Sequence, residues 1–206
     1  PVEAAYAQLD SFAGKLAEKE QQAKQYNELE ELFEQPVSRY QEMADTRSDM
    51  RLLKNLWDFK GMLIDVYKDW KRALWKSINT DDLETQNKNL LKALRKAGND
   101  DPIIKGWQVY RDIEDNIKNM SVVLPLINDL HSDALRDRHW AMLAKTCGVD
   151  GINPSDPKFT MDDMMKLKLH EHVDDVSEIV ETAQKEKKIE KKLGDIEKAW
   201  KVFEIE

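Results

Sequence analysis

Residues 124–143 read LPLINDLHSDALRDRHWAML, and this stretch decides the fold. Pro125 lacks a backbone donor, so it predicts that the preceding helix ends or kinks near Leu124. The pair Ser132 and Asp133 then predicts a helix start. A side-chain oxygen there can accept from the free backbone N–H groups, and an acid favours the positive end of the helix dipole.

The side chains after this start indicate a structural joint. Trp140 can bury a large ring whose N–H needs an acceptor, and Arg138 presents a rigid fork of five donors. His139 lies between them and has no nucleophile near it in sequence, so we expect a hydrogen-bonded packing residue rather than a base. We predict that this segment fixes two long helical runs at one angle.

The composition favours long helices. Hydrophobic residues make up 41% of the 206 residues and charged residues 35%, with only seven Gly and six Pro to break helices. We therefore predict an all-α fold, an elongated bundle of long antiparallel helices. The chain starts at Pro1 with a helical pattern already under way, so we expect a piece of a longer protein.

The charge and the single cysteine exclude several classes. A net charge of −8 argues against a general nucleic-acid binder, which needs an excess of clustered Lys and Arg. The one cysteine, Cys147, excludes an internal disulfide framework. We expect it to be a small buried residue rather than a reactive thiol. No apolar run reaches about 18 residues, so no membrane-spanning segment is predicted.

Apolar periodicity and helix breakers predict the order of the helices. Residues 2–33 carry one narrow stripe, which predicts a single partner helix, and Pro36 ends this run. A second helix is predicted over residues 37–78. Its C-terminal two-thirds carries two apolar stripes, so this helix should lie between neighbours as the spine of the bundle. The final predicted helix covers residues 170–200. In residues 201–206, apolar and polar side chains begin to alternate, and this pattern could start a short strand.

Local signals predict the other helix boundaries. Residues 79–82, NTDD, are typical of a capped helix start, and Gly98 of a residue just past a helix end. Asp101 and Pro102 predict the next start, with the proline at the first helical position, and Thr160 predicts another.

We expect eight residues to hold the helices at their crossings, and we assign all of them a structural role. They are Trp70, Trp75, Trp107, Pro125, Arg138, His139, Trp140 and Trp200.

No pattern in the chain indicates a chemical site. The phosphate-binding patterns GxxxxGK[ST] and GxGxxG do not occur. His170 and His172 are two residues apart and lie on different faces of a helix, whereas a helical zinc pair needs a spacing of four. The mixed charges of Lys185–Lys192 favour a solvated face over a docking patch. We therefore expect no catalytic residue, cofactor or metal.

Three segments carry a resemblance to a known family. They are DWKRALWKSIN (69–79), LRDRHWAML (135–143) and LKLHEHVDDVSEIVETAQKEKKIEKKLGDIEKAW (167–200). In this order and spacing the chain resembles dynein heavy chains at the start of their linker region. The sequence of these segments is more similar to axonemal heavy chains, particularly the outer-arm beta type, than to cytoplasmic ones. The resemblance implies end-of-tail helices at residues 1–50 and the N-terminal part of the linker at residues 51–206.

The resemblance also implies a function. In that family the linker is a rod of helical bundles that lies across the AAA+ ring and bends and straightens with the nucleotide cycle. The resemblance therefore implies that this chain is a non-catalytic mechanical segment. Its partners would be the rest of the heavy chain and, through the tail, other heavy, intermediate or light chains. Microtubules would be reached only indirectly, and the location would be the cytoplasm, cytoskeleton and axoneme of a cilium or flagellum. The alternative is a helical scaffold whose stripe in residues 1–50 binds a helix of another chain.

Overall fold

The computed structural model describes residues 2–149 and 152–202, and over these residues the predicted all-α fold is confirmed. The described α-helices are α1 (Val2–Leu32), α2 (Gln41–Arg72), α3 (Thr80–Asp100), α4 (Gln108–Leu130), α5 (Asp137–Cys147), α6 (Met161–Met165) and α7 (Val173–Val202). Short 3₁₀ helices cover Trp75–Ser77, Pro102–Gly106 and Leu169–Glu171. Lys201 and Val202 belong to α7, and the rest of the predicted C-terminal strand lies outside the described residues. None of the helices in the described ranges is long and apolar enough to cross a membrane.

The chain divides into two compact units. The first contains the residues up to Val66 together with Arg95–Glu114, and the second contains Tyr67–Leu94 and the chain from Asp115 onward. The predicted division near residue 50, into tail helices and linker, stays a prediction.

In the first unit, α1 and α2 form an antiparallel hairpin. The Tyr6 hydroxyl donates to Asp58 Oδ1 at 2.6 Å, and further along the pair the Arg47 Nε donates to Glu20 at 2.7 Å. The partner residue numbers fall as the α1 numbers rise, which defines the antiparallel direction. The turn after α1 contains Glu34 in the left-handed region, with φ +51°.

Gly98 has a role in the first unit different from the predicted one. It lies inside α3, which continues to Asp100, so the predicted helix end is wrong. A Cβ on this residue would lie 2.7 Å from the Tyr110 hydroxyl and 2.8 Å from Lys105 Cε. The missing side chain therefore permits close approach of α4, whose Tyr110 is buried, to α3. Pro102 begins a 3₁₀ turn as a first-turn proline, but α4 itself starts only at Gln108.

In the second unit, a buried amide joins α2, α3 and α4. Asn87 is only 1% exposed. Its Oδ1 accepts from the Tyr67 hydroxyl at 2.7 Å, and its Nδ2 donates to Ile117 O at 3.0 Å and to Ser121 Oγ at 2.8 Å. Burial raises the pKa of Tyr67 well above its ordinary value, so the phenol remains a donor. Both amide protons and the oxygen of Asn87 are hydrogen-bonded, and these bonds offset the cost of burying a polar group in the core.

Two outcomes were predicted near Val123–Leu124, an end or a kink of the helix. The end is wrong, because α4 runs through Pro125 to Leu130, and the kink stays a prediction. An interior proline costs a helix roughly 3 kcal/mol. Leu124, Leu126 and Ile127 around it are all buried, and each fully buried aliphatic side chain contributes about 1.5–3 kcal/mol. Packing of the helix therefore outweighs the loss of one backbone hydrogen bond.

The predicted helix start at Ser132 is also wrong, since α5 begins at Asp137. Ser132 Oγ instead accepts from the N–H of Ala134 within a turn, and Asp133 pairs with Lys187 on α7. The residue before α5, Arg136, has an extended backbone and takes the capping position.

Other boundaries match the sequence signals to within a few residues. The start at residues 79–82 is confirmed, since α3 begins at Thr80 and Asn79 Oδ1 accepts from the N–H of Asp82 at 3.4 Å. The start at Thr160 is confirmed as well, because the Thr160 N–H and hydroxyl both donate to Asp163, at 3.1 and 2.9 Å.

The bounds of the two long predicted helices differ from those expected: α2 is shorter at both ends, and α7 starts later and runs on to Val202. The one predicted over residues 37–78 covers only Gln41–Arg72, and the one predicted over 170–200 begins at Val173 after a 3₁₀ turn.

Candidate functional site: an aromatic joint in the second unit

The chain after α2 becomes extended and pairs with the segment before α6. Leu74 forms an isolated antiparallel bridge with Thr160. The N–H of Trp75 donates to Phe159 O at 2.9 Å, and the N–H of Met161 donates to Ala73 O at 3.0 Å. This pairing fixes the connection that follows α2 against a segment about 85 residues further along the chain.

The ring of Trp75 is the centre of this contact and is 5% exposed. We define the Trp75 cluster as Trp75, His131, Trp140 and Phe159. The Trp140 and Phe159 rings both lie 6.1 Å from the Trp75 ring, edge to face at 87° and 79°, and the His131 ring lies 5.1 Å away. Aromatic pairs in such geometry contribute about 0.5–1.5 kcal/mol beyond the burial of their area. The cluster therefore joins four separate parts of the second unit.

A hydrogen bond between His131 and the backbone of Trp75 orients these two residues of the cluster. His131 Nε2 lies 2.9 Å from the carbonyl oxygen of Trp75. Because a carbonyl oxygen only accepts, this ring nitrogen carries the proton and donates it. The backbone of Trp75 is thus bonded on its N–H side to Phe159 and on its carbonyl side to the end of α4.

His139 lies in the first turn of α5 and is buried, with 1% of its surface exposed. Its Nδ1 accepts from the N–H of Arg136 at 3.0 Å, which assigns the ring proton to Nε2. That Nε2 lies 2.9 Å from Glu186 Oε2 on α7 and donates to it. His139 is therefore buried and hydrogen-bonded through both ring nitrogens, and its role in holding the joint stays a prediction.

Ion pairs surround His139 and connect α5 to α7. We define the charged clamp as Arg136, Arg138, His139, Glu186 and Glu190. Arg138 Nε donates to Glu186 at 2.8 Å, and its Nη2 contacts both Glu186 and Glu190, the latter at 3.2 Å. Arg136 donates to Glu190 at 2.9 Å. The Arg138 hydrogen bonds are the main cause of the lowered pKa of Glu186, and the Arg136 hydrogen bond is the main cause of the lowered pKa of Glu190.

The structure brings together only some of the eight predicted joint residues. Trp75 and Trp140 lie in the Trp75 cluster, and Arg138 and His139 lie in the charged clamp. Pro125 lies inside α4.

The remaining three tryptophans lie elsewhere. Trp70 is buried beside Tyr67 at 5.1 Å and donates from Nε1 to Gln86 at 3.3 Å, which makes a separate contact in the second unit. Trp107 belongs to the first unit and is half-buried, and Trp200 is 69% exposed.

Sequence reasoning missed four residues that complete the site. His131 and Phe159 carry no local motif, and Phe159 falls in the loop-rich part of the chain. Glu186 and Glu190 lie in the run interpreted as a solvated face. Their spacing of four places both carboxylates on one side of α7, which was the available signal.

Cys147 is only partly buried, so the expected full burial of this residue is wrong. Burial, and next the charge of Asp175, raise the pKa of the Cys147 thiol, so the thiolate is disfavoured at neutral pH. His170 and His172 lie 3.8 and 3.7 Å from carboxylate oxygens of neighbouring residues in their own segment.

Residues 43–206 match the family described as Dynein heavy chain, N-terminal region 2. This chain belongs to that dynein heavy chain family. The resemblance to axonemal dynein heavy chains drawn from three short segments is therefore confirmed over most of the chain.

Curated relatives of this dynein region come from flagella and axonemes. This chain is 38% identical to the "Dynein beta chain, flagellar outer arm" of Chlamydomonas reinhardtii over 182 residues, and this match covers 87% of the chain. It is 33% identical over 207 residues to the alpha chain of the same outer arm, covering 98%, and 31% identical over 201 residues to "Dynein axonemal heavy chain 11" of Sus scrofa, covering 97%. The chain spans about 4% of the length of each of these relatives.

Truncating Trp140 tests the energetic weight of the Trp75 cluster in this dynein region. We expect Trp140→Ala to lower the free energy of unfolding by about 3–5 kcal/mol, because it removes a buried ring and leaves a cavity. Thermal or urea unfolding of the 206-residue chain measures the change. The control is Met142→Ala on the same helix, where the side chain is 50% exposed. If the Trp140 variant and the wild type had the same free energy of unfolding, the Trp75 cluster would not stabilise this region.

The charged clamp predicts a pH dependence. A carboxylate whose pKa is lowered by folding stabilises the protein above the ordinary carboxylate pKa of about 4.3, and this contribution disappears as the pH falls through the lowered value. We expect Glu186→Gln with Glu190→Gln to lower the melting temperature modestly at pH 7, because exposed ion pairs contribute little, and to lower it by a smaller amount at pH 3. Glu181→Gln with Glu197→Gln on the same helix is the control, because both side chains are about two-thirds exposed. A melting difference of equal size at both pH values would contradict the role of the clamp.

Proposed function

We propose that this dynein heavy chain region is a non-catalytic mechanical segment that joins the tail to the linker and transmits motion generated by the AAA+ ring. The observation that carries the proposal is the Trp75 cluster. In it, the end of α2, the end of α4, the start of α5 and the segment before α6 are fixed around one buried ring.

Transmission of force requires that a load on one helix displaces its neighbours rather than deforming the contact. Close-packed interiors have low compressibility, so a buried aromatic contact meets this requirement. The two backbone hydrogen bonds of Trp75 and the charged clamp restrict rotation as well as separation. The proposed role needs no cofactor in this segment.

The partners follow from the proposed position in the heavy chain. They are the remaining linker and ring of the same chain and, through the tail side, other heavy, intermediate or light chains. Microtubules are contacted only through the rest of the motor, and the proposed location is the cytoplasm and cytoskeleton, in the axoneme of a cilium or flagellum. The flagellar and axonemal names of the relatives support this location.

A second candidate function is a helical scaffold. Along α1 only Leu9 and Ala23 are buried, while Phe12, Tyr26 and Leu29 are at least half exposed. An apolar face of this kind favours a contact with another chain. The two functions are compatible, since they use different units of the structure.

The mechanical proposal predicts a loss of coupling. In a complete heavy chain, we expect Trp140→Ala to retain microtubule-stimulated ATPase activity but to lower the gliding velocity, because the ring is unchanged while its motion is transmitted through a loosened joint. ATPase and gliding are measured on one preparation, with Met142→Ala as the matched control.

Trp140→Leu serves as a second variant if the alanine variant is not stable in the motor, because it keeps an apolar side chain but removes the ring–ring contact. Unchanged gliding in a folded Trp140 variant would contradict the proposal. A parallel loss of ATPase and gliding would do the same, because it would indicate a role in the ring's chemistry.

A further inference from the structure

A cleft in the first unit is lined mainly by cations. It has a volume of about 450 Å³, which lies within the range of small-ligand pockets. All of its lining residues fall in Arg95–Glu114, so the cleft belongs to the first unit alone. We define the basic cleft by these residues, which are Arg95, Asn99, Lys105, Tyr110, Arg111 and Glu114.

The connection between α3 and α4 holds Lys105 at the basic cleft. Ile104 beside it is 3% exposed and anchors the 3₁₀ helix Pro102–Gly106 in the core. Lys105 Nζ donates to Asn99 Oδ1 at 2.8 Å, and its Cε lies 2.8 Å from the position that a Cβ of Gly98 would take. Because Gly98 has no side chain, the stem of the lysine can lie against α3. The ammonium group is therefore fixed at Asn99, on the wall of the cleft.

Two arginines line the basic cleft from different helices. Arg95 and Asn99 are four residues apart and share one side of α3, and Arg111 and Glu114 are three residues apart and share one side of α4. In the described ranges 2–149 and 152–202, Arg95, Lys105 and Arg111 form no ion pair with a carboxylate. Three cations therefore line one cleft with their charges uncompensated by direct pairing.

The carboxylates near the basic cleft do not remove this excess of positive charge. Glu114 is the one acid in the lining, and it already has an interaction of its own. Asp112 accepts from Lys60 at 3.2 Å and from Gln108 at 2.8 Å. Asp100 and Asp101 follow Asn99 but do not line the cleft. The lining thus holds three cations against one carboxylate, in a chain whose net charge is −8.

The start of α4 adds to the positive potential. Arg111 lies in the first turn of this helix, and that turn contains no acidic residue. A cation is unfavourable at the positive end of a helix dipole, where an anion is favoured. An anion in the basic cleft would be attracted by the arginine and by the helix end together.

We propose that the basic cleft binds the dianionic phosphate group of a phosphate monoester. The planar forks of Arg95 and Arg111 match the oxygens of a phosphate group, and Lys105 adds a third charge. Three neighbouring cations repel one another, and a dianion offsets more of this repulsion than a single carboxylate or a phosphodiester does. A phosphorylated side chain of another chain and a free phosphate compound share this chemistry. The site depends on neither the mechanical proposal nor the scaffold candidate.

Titration with N-acetylphosphoserine amide tests the site directly. We expect saturable changes in the NMR shifts of the Nε–H groups of Arg95 and Arg111 at pH 7. Binding should weaken several-fold at pH 5, because the second charge of a phosphate monoester is lost near a pKa of about 6 while arginine and lysine stay protonated. Dimethyl phosphate is a phosphodiester with one charge. At the same ionic strength it should bind at least about tenfold more weakly.

Substitution of the arginines localises the binding. We expect Arg95→Gln with Arg111→Gln to raise the dissociation constant at least about tenfold, because the charge-assisted hydrogen bonds are lost. The matched control is Arg39→Gln with Arg51→Gln, two exposed arginines of the same unit that do not line the basic cleft. This control removes the same charge and should bind like the wild type. Circular dichroism checks that the helix content of both variants is unchanged.

The proposal is overturned if the phosphoserine probe causes no saturable shift, or if dimethyl phosphate binds as tightly. It is also overturned if the cleft variant binds like the wild type, or if the control loses as much affinity. Inorganic phosphate distinguishes the two sources, and either result supports the site. Tighter binding of inorganic phosphate than of the phosphoserine probe indicates a free phosphate compound, and weaker binding indicates a phosphorylated chain.

Discussion

The second unit depends on the burial of one aromatic ring whose own backbone is bonded in two directions. Trp75 follows the end of α2, where the chain leaves the helix and becomes extended. Its N–H and carbonyl are paired with Phe159 and His131, and its ring contacts those two residues and Trp140. An extended segment exposes backbone groups that must be paired when they are buried. The cluster satisfies this requirement and the burial of the ring at the same place.

The apolar cluster and the charged clamp contribute in different ways. Exposed ion pairs are worth roughly 0–1 kcal/mol each, because water screens the charges and holding two long side chains costs entropy. The guanidinium of Arg138 is about half exposed, so the clamp supplies little of the stability of the unit. Its contribution is orientation, because two arginines and a histidine fix two carboxylates one turn apart on α7. The ring contacts supply stability, and the clamp specifies which face of α7 meets α5.

The sequence predicted those features that depend on neighbouring residues. The helix of α1, the capped start at Thr80 and the start after Thr160 follow from spacing and local hydrogen bonding, and all are present. Pro125 and Gly98 were misjudged because tertiary packing decides both positions, through buried neighbours in one case and the approach of Tyr110 in the other. At the joint, Trp75 and Trp140 could be named from residue type, but their partners His131 and Phe159 could not. Contacts between residues far apart in the chain leave no periodic signal in one sequence.

Hydrogen exchange at the paired backbone amides tests most directly whether these segments form one fixed joint. The N–H groups of Trp75 and Met161 lie outside α-helical hydrogen bonding and are protected only by the contact between the two segments. If the joint is rigid, both amides exchange as slowly as those in the buried part of α4, through global unfolding of the unit. Exchange of these two amides well before those of α4 would mean that the joint opens locally while the helices stay folded, and it would contradict the account.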